Sequence, residues 1–112
     1  MDILNVQNQL RDFALKRNWD KYHSPKNLSM ALAVEASELM ELFQWINSED
    51  SLKASGDPDY RQRIAEEIAD VMIYAIRIAD IVQVDVEEAI NSKIVKNGKK
   101  YPDDQVHEWR IE

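Results

Sequence analysis

The sequence predicts an all-α, single-domain protein, and three observations carry that expectation. Apolar residues recur at i, i+3, i+4 spacing through several long stretches rather than alternating along short ones. Glycine and proline number only 2 and 3, too few punctuators for a many-stranded β fold. Hydrophobic residues make up 45% of the 112, enough to build a core, and the length suits one domain spanning residues 1–112.

Four helices follow in order. The first covers about 2–18, with Asp2 as N-cap and Ile3, Val6, Leu10, Phe13 and Ala14 at helical spacing. The loop "NWDKYHSPKN" carries Pro25 as a breaker and Asn27 as the next N-cap, so the second helix is expected over about 28–46. "NSEDSLKASGDPD" is polar and turn-rich, with room for one short helical turn. Asp57-Pro58 reads as an N-cap followed by proline at the first helical position, opening a third helix over about 58–82. The fourth begins near Asp85, with Glu88 three residues on as in a capping box, and ends near Asn97-Gly98, a natural C-cap. The tail "KKYPDDQVHEWRIE" is expected to be irregular.

From Ile64 to Val82 the apolar residues of the third helix cover nearly its whole circumference. Four helices of this size can hardly enclose such a helix, so self-association is expected, with partner subunits completing the core. A monomer with one apolar face exposed is the alternative.

The formal charge, 14 − 21 = −7, argues against a nucleic-acid binder, which needs a basic face for phosphates. It leaves room for a small anionic ligand where a cation intervenes. With no cysteine there is no disulfide, no thiolate zinc site and no Cys nucleophile. The first residues, "MDILNVQNQL", do not read as a signal peptide, and no apolar run approaches the roughly 20 residues of a membrane span. The expected location is the cytoplasm, with no membrane partner.

Two stretches stand out, "VEASEL" and "EEIADV". They place Glu35 three residues before Glu38, and Glu67 three before Asp70, inside runs that otherwise read as buried helix. At about 100° per residue, Leu32, Ala36, Leu39 and Phe43 form one stripe, and Ile64, Ile68, Val71 and Ala75 another. Glu35 and Glu67 fall about 300° from the first residue of their stripes, Glu38 and Asp70 about 240°. If the helices pack antiparallel along those stripes, the pairs converge. Ionised carboxylates cannot share a dry space unaided, and a cation resolves the conflict. Oxygen-only donors favour a hard ion, Mg²⁺ or Mn²⁺, and Mg²⁺ commonly joins carboxylates to substrate phosphates. Acids three apart can also simply decorate solvated faces. Glu41 and Glu66 lie further from the stripes.

Lys93, Lys96, Asn97 and Lys100 follow i, i+3, i+4, i+7 spacing, one helix face if the helix persists that far. They suit either displaced phosphates or the helix macrodipole. Trp19, Trp45 and Tyr74 could stack on a nucleobase or serve as core. His23 in the proline-containing loop could hydrogen-bond a ligand or do a structural job.

Together "NWDKYHSPKNLSMALAVEASELMELFQW", "EEIADVMIYAIRIAD" and "KNGKKYP" resemble the MazG-like nucleotide pyrophosphohydrolases, most closely the branch containing dCTP pyrophosphatase. The shared pattern is E-x-x-E, a gap, then E-x-x-D, joined to the W-x-x-x-H loop, "LFQW" and the lysine-rich ending. It covers the chain up to about Pro102.

The resemblance implies a four-helix MazG-like bundle assembled as dimers or as tetramers of two dimers. It implies Mg²⁺-dependent hydrolysis of a nucleoside triphosphate between the α and β phosphates. By resemblance Glu35, Glu38, Glu67 and Asp70 hold Mg²⁺, with Glu38 the first choice for general base. Lys93, Lys96 and Lys100, with Tyr101, form the phosphate side. Trp19, His23, Trp45, Tyr74 and Asn97 frame base and sugar, in a site shared between subunits. One departure concerns the base. The dCTP-directed members carry a histidine midway along the first helix, where this chain has Leu10. That leaves dCTP, dATP or a modified deoxynucleotide as the substrate of a house-cleaning enzyme. The alternatives are a non-catalytic helical interaction module and an enzyme like the phosphoribosyl-ATP pyrophosphatases.

Overall fold

The protein's structure is a computed structural model that describes residues 1–104 together with Glu108 and Trp109. The described residues form helices and turns with no strand. Residues 105–107 and 110–112 of the predicted irregular tail lie outside the described residues.

Helix α1 spans Ile3–Lys16, and Asp2 caps it by accepting the Asn5 N–H at 3.0 Å. The chain leaves α1 through Asn18, whose φ of 56° is the left-handed conformation that asparagine tolerates. A single 3₁₀ turn, Asp20–Tyr22, follows.

Helix α2 spans Pro25–Glu41, so both of its expected ends are corrected. Ser24 is the N-cap, its Oγ accepting from Asn27 N at 3.1 Å, and Pro25 opens the helix. Asn27, expected as the cap, instead donates from Nδ2 to the Tyr22 carbonyl at 3.0 Å and ties the loop to the helix. At the other end α2 stops before 46 because the next turns tighten. Phe43 N donates to Met40 O at 3.0 Å and Ile46 N to Phe43 O at 3.2 Å, the i→i+3 pattern that closes many helices.

The polar linker folds into a one-turn helix α3, Ser48–Ser51, and a 3₁₀ turn, Ala54–Gly56. Helix α4 spans Pro58–Ile81 with Asp57 capping both Asp59 N and Tyr60 N, as the Asp-Pro pair predicts. Helix α5 spans Val86–Lys100 with Asp85 accepting from Glu88 N at 3.0 Å. Its expected stop at Asn97-Gly98 is corrected. Gly98 has an ordinary negative φ and the helix runs through it, with Tyr101 as the C-cap.

The largest packing is α2 against α4, with α1 laid over the C-terminal half of α4. Among the described residues, Ala14, Leu28, Ile76 and Ala79 are the buried apolar ones. Helix α5 buries none of its residues, and Ile90, Ile94 and Val95 stand exposed along it. Ile68, Met72 and Ile73 are exposed on α4. The Cα radius of gyration is 17.1 Å, whereas a closed domain of ~100 residues has about 13 Å. The single chain is therefore an open arrangement with much apolar surface unpartnered.

Candidate functional site

Helices α2 and α4 meet along a seam that differs from the expected one. Ala36, Ile68 and Ala75 face outward. Among the half-buried positions, Leu32, Glu35 and Leu39 on α2 with the capping Leu42 form one line, and Tyr60, Ile64, Glu67, Val71, Tyr74 and Ile78 on α4 form another. Their spacing is 3.5 residues on average, the period that keeps one stripe facing a neighbouring helix. Glu35 and Glu67 thus occupy the seam itself instead of flanking it. The Tyr60 hydroxyl donates to the Leu42 carbonyl and pins the end of α2 to the start of α4.

This seam brings carboxylates together. Single oxygens of Glu35, Glu38 and Glu67 lie within 4.8 Å of one another. Asp70 lies outside that triad of donor atoms, one turn further along α4, and shares with Glu35 the wall of an adjoining cavity. Glu35 Oε2 and Glu67 Oε2 are buried and have no hydrogen-bond partner among the described residues. Burial, the adjacent Glu38 carboxylate and the charges of Asp70 and Glu67 push the Glu35 carboxyl up to about 7. Burial and the Glu38 charge raise Glu67 as well. Orphaned buried carboxylate oxygens are costly in a native protein unless something pairs with them. An all-oxygen donor set around a small space fits a hard divalent cation.

Two cavities flank the cage. One, of about 330 Å³, is lined by Phe13, Trp19, His23, Tyr74 and Arg77 besides Glu35 and Asp70. Trp19 meets Phe13 edge-on at 5.7 Å between ring centroids and His23 at 6.1 Å. The other, of about 550 Å³, is lined by Glu38 and Glu67 together with Trp45, Tyr60 and Arg63. The predicted Trp19, His23 and Tyr74 therefore lie together beside the cage. Trp45 stands at its opposite mouth and is 88% exposed. Lys93, Lys96, Asn97 and Lys100 are exposed on α5 and line neither cavity, and Tyr101 caps that helix with the Lys100 ammonium 5.3 Å from its ring centroid.

Sequence reasoning missed Arg63 and Arg77, and treated Phe13 only as core. Arg77 carried a signal: a cation in the middle of an otherwise apolar stretch needs a buried partner. Its guanidinium is paired with Asp20 at 3.0 Å and Asp80 at 3.5 Å. Arg11 also donates to Asp80, from Nε at 2.6 Å, and the two arginines hold the Asp80 carboxyl below its usual range. That network ties α1 and the Trp19–His23 loop to α4.

An all-α protein with an interhelical carboxylate cage opening onto an aromatic cavity is the class that the fold and site define. The particular family follows from comparison: the MazG-like family matches residues 30–111, and the chain belongs to it. It is similar to dCTP pyrophosphatase 1 of mouse, 38% identical over 91 residues covering 81% of this chain and 54% of that protein. The human protein of the same name is also 38% identical, over 91 residues and the same shares. This chain thus spans about half the length of the curated relatives it matches. Among solved structures it is similar to a pyrophosphatase from Archaeoglobus fulgidus DSM 4304, with TM-score 0.82 and 37% identity, covering 91% of this chain and 94% of that one.

Proposed function

We propose that the protein hydrolyses a deoxynucleoside triphosphate between the α and β phosphates, with a divalent cation, Mg²⁺ or Mn²⁺, held by Glu35, Glu38, Glu67 and Asp70. The observation that carries this reading is the pair of orphaned oxygens, Glu35 Oε2 and Glu67 Oε2, buried beside Glu38 next to an aromatic cavity. The family membership and the named activities of the relatives support the bond assignment.

The chemistry a bound cation supplies is polarisation of the α-phosphoryl group and acidification of water. The chain's residues do the rest. Glu38 takes the proton of the attacking water, whose oxygen bonds to the α-phosphorus as the bond to the bridging α–β oxygen breaks. The products are a nucleoside monophosphate and pyrophosphate, and no covalent intermediate is needed. Trp19 and Tyr74 frame the base and sugar, with His23 at the cavity wall.

Lys93, Lys96 and Lys100, with Tyr101, reach the pyrophosphate side from a partner copy in a dimer or a tetramer of two dimers, and Asn97 of the same helix joins the frame of base and sugar. Trp45 closes the base site from the partner in the same way. The open shape of one chain and the unpartnered apolar residues of α4 and α5 support that assembly. Leu10 in the first helix leaves the base open among dCTP, dATP and modified deoxynucleotides, consistent with removal of surplus or non-standard nucleotides in the cytoplasm. The test is a panel of canonical and modified nucleoside triphosphates with Mg²⁺, products identified by mass. Monophosphate and pyrophosphate are expected, and release of orthophosphate overturns the bond assignment.

A further inference from the structure

We propose that Arg77 is a positioning residue for nucleotide recognition: donating from Nε to Nδ1 of His23, it holds that imidazole as the Nε2–H tautomer, so that the cavity offers the base a fixed N–H donor. That the ligand is a nucleotide rests on the function proposed above. The lock itself does not.

Arg77 is only 8% exposed, rare for a guanidinium, and it is over-provided for if its duty is merely to be neutralised. Asp20 accepts from Nη2 at 3.0 Å and Asp80 from Nη1 at 3.5 Å. Nε is left, and it points at a ring nitrogen, His23 Nδ1, at 3.4 Å. Arginine has donors only. Nδ1 must therefore present its lone pair, and a neutral imidazole with a bare Nδ1 carries its proton on Nε2. Protonation at both nitrogens would set N–H against N–H. Burial and the Arg77 charge also push the His23 pKa down, with Asp20 acting the other way. Nε2 has no hydrogen-bond partner among the described residues, so its donor is available to a ligand.

His23 and Arg77 both line the cavity that holds Trp19 and Tyr74. Stacking on aromatic rings accepts any base and fixes little about its in-plane orientation. A donor of settled identity at the edge supplies that orientation, because every nucleobase offers keto oxygens or bare ring nitrogens there. A ring free to exchange tautomers would present a lone pair to those acceptors part of the time.

Long-range ¹⁵N–¹H spectra of the full chain without nucleotide test the lock directly, with His23 distinguished from His107 by His23→Gln. A proton on Nε2 is expected, and a proton on Nδ1 overturns the proposal whatever the variants do. Arg77→Met keeps the bulk and removes the donor. It should give a mixture of tautomers and raise KM about five- to tenfold, the size of one hydrogen bond, with kcat changed much less. KM is read on whichever deoxynucleotide the panel shows to be hydrolysed fastest. Arg77→Lys, which retains a donor, should recover the tautomer and most of the KM. An unchanged tautomer with unchanged KM in Arg77→Met overturns the proposal. If Arg77→Met fails to fold, seen as lost helical circular dichroism, the wild-type spectrum still decides. Absence of pyrophosphate release from every nucleotide would instead overturn the proposed reaction and leave the tautomer result standing.

Discussion

The α2–α4 pair and helix α5 use the same amino-acid types to opposite ends. The pair turns carboxylates into its own seam and leaves isoleucines such as Ile68 and Ile73 outside. Helix α5 keeps every charge in water and also leaves Ile90, Ile94 and Val95 outside, with nothing among the described residues to cover them. Charge in a seam is destabilising until something neutralises it, and apolar surface in water is destabilising until something covers it. On the function proposed above, a ligand completes the first region and another copy of the chain completes the second. Glu35, Glu38 and Glu67 converge within the single chain, whereas the lysines of α5 line neither cavity beside them.

The sharpest way to break that contrast is inside the cage. Glu38→Gln keeps the shape of the side chain and removes the base, and should lower kcat by roughly 10²- to 10⁴-fold. Stopped-assay pyrophosphate measurement checks it, and full activity would move the base to another carboxylate. Removal of the divalent ion by chelation should abolish turnover and readdition should restore it.

Helix α5 is tested next. Ile94→Glu should dissociate the assembly, read by sedimentation. It should cost activity on the order of 10²-fold by removing donors from the leaving group, while divalent-ion binding to the cage persists. Complementation sharpens the point. Glu38→Gln and Lys96→Ala, each impaired alone, should recover part of the activity when refolded together, because a hybrid then holds one intact shared site. No recovery would put the lysines and the cage in the same chain or the lysines outside the reaction.

How much of this was legible in the sequence follows the same divide. Asp2, Asp57-Pro58 and Asp85 marked three helix starts correctly, because a capping side chain acts within its own turn. The acid pairs were legible because rigid helices fix their spacing. The seam was misplaced because α4 is apolar on most sides, so periodicity alone does not choose between Ile64–Ile68–Val71–Ala75 and the 3.5-residue run through Glu67 and Tyr74. The tyrosine that bonds the Leu42 carbonyl is a long-range contact with no local signature. Arg77 was marked by its place in an apolar stretch, but its partners Asp20 and His23 were not, since they are 57 and 54 residues away in sequence.

A smaller effect separates the metal-stripped cage from the rest of the charges. With Glu35 raised from 4.5 to about 7, the metal-stripped native chain retains a proton that the unfolded chain has lost between those values. Its stability should therefore fall as pH rises through that window and level off above it. Asp80, depressed below 3.8 by Arg11 and Arg77, has the opposite sign, and the stability it contributes is lost only in more acidic solution. Thermal midpoints measured from pH 4.5 to 7.5 should slope downward without metal, and saturating Mg²⁺ should flatten the slope. A flat metal-free profile would mean that the carboxylates are not crowded together in the folded chain.

The smallest effect concerns Gly98, which continues the i, i+4 line of Ile90 and Ile94 along the apolar side of α5, away from the lysine stripe. A Cβ built at Gly98 meets nothing within 4 Å. Glycine inside a helix costs about 0.5–1 kcal/mol relative to alanine. In an isolated chain Gly98→Ala should therefore be stabilising by about that amount. Glycine in an apolar line, however, lets a neighbouring backbone approach closely. If a second copy covers Ile90 and Ile94, the new methyl group enters that contact. The substitution should then raise the thermal midpoint in the Ile94→Glu background, where the chain is alone, and lose or reverse that gain in the assembled protein. Equal stabilisation in both backgrounds would place this side of α5 in solvent and move the interface elsewhere.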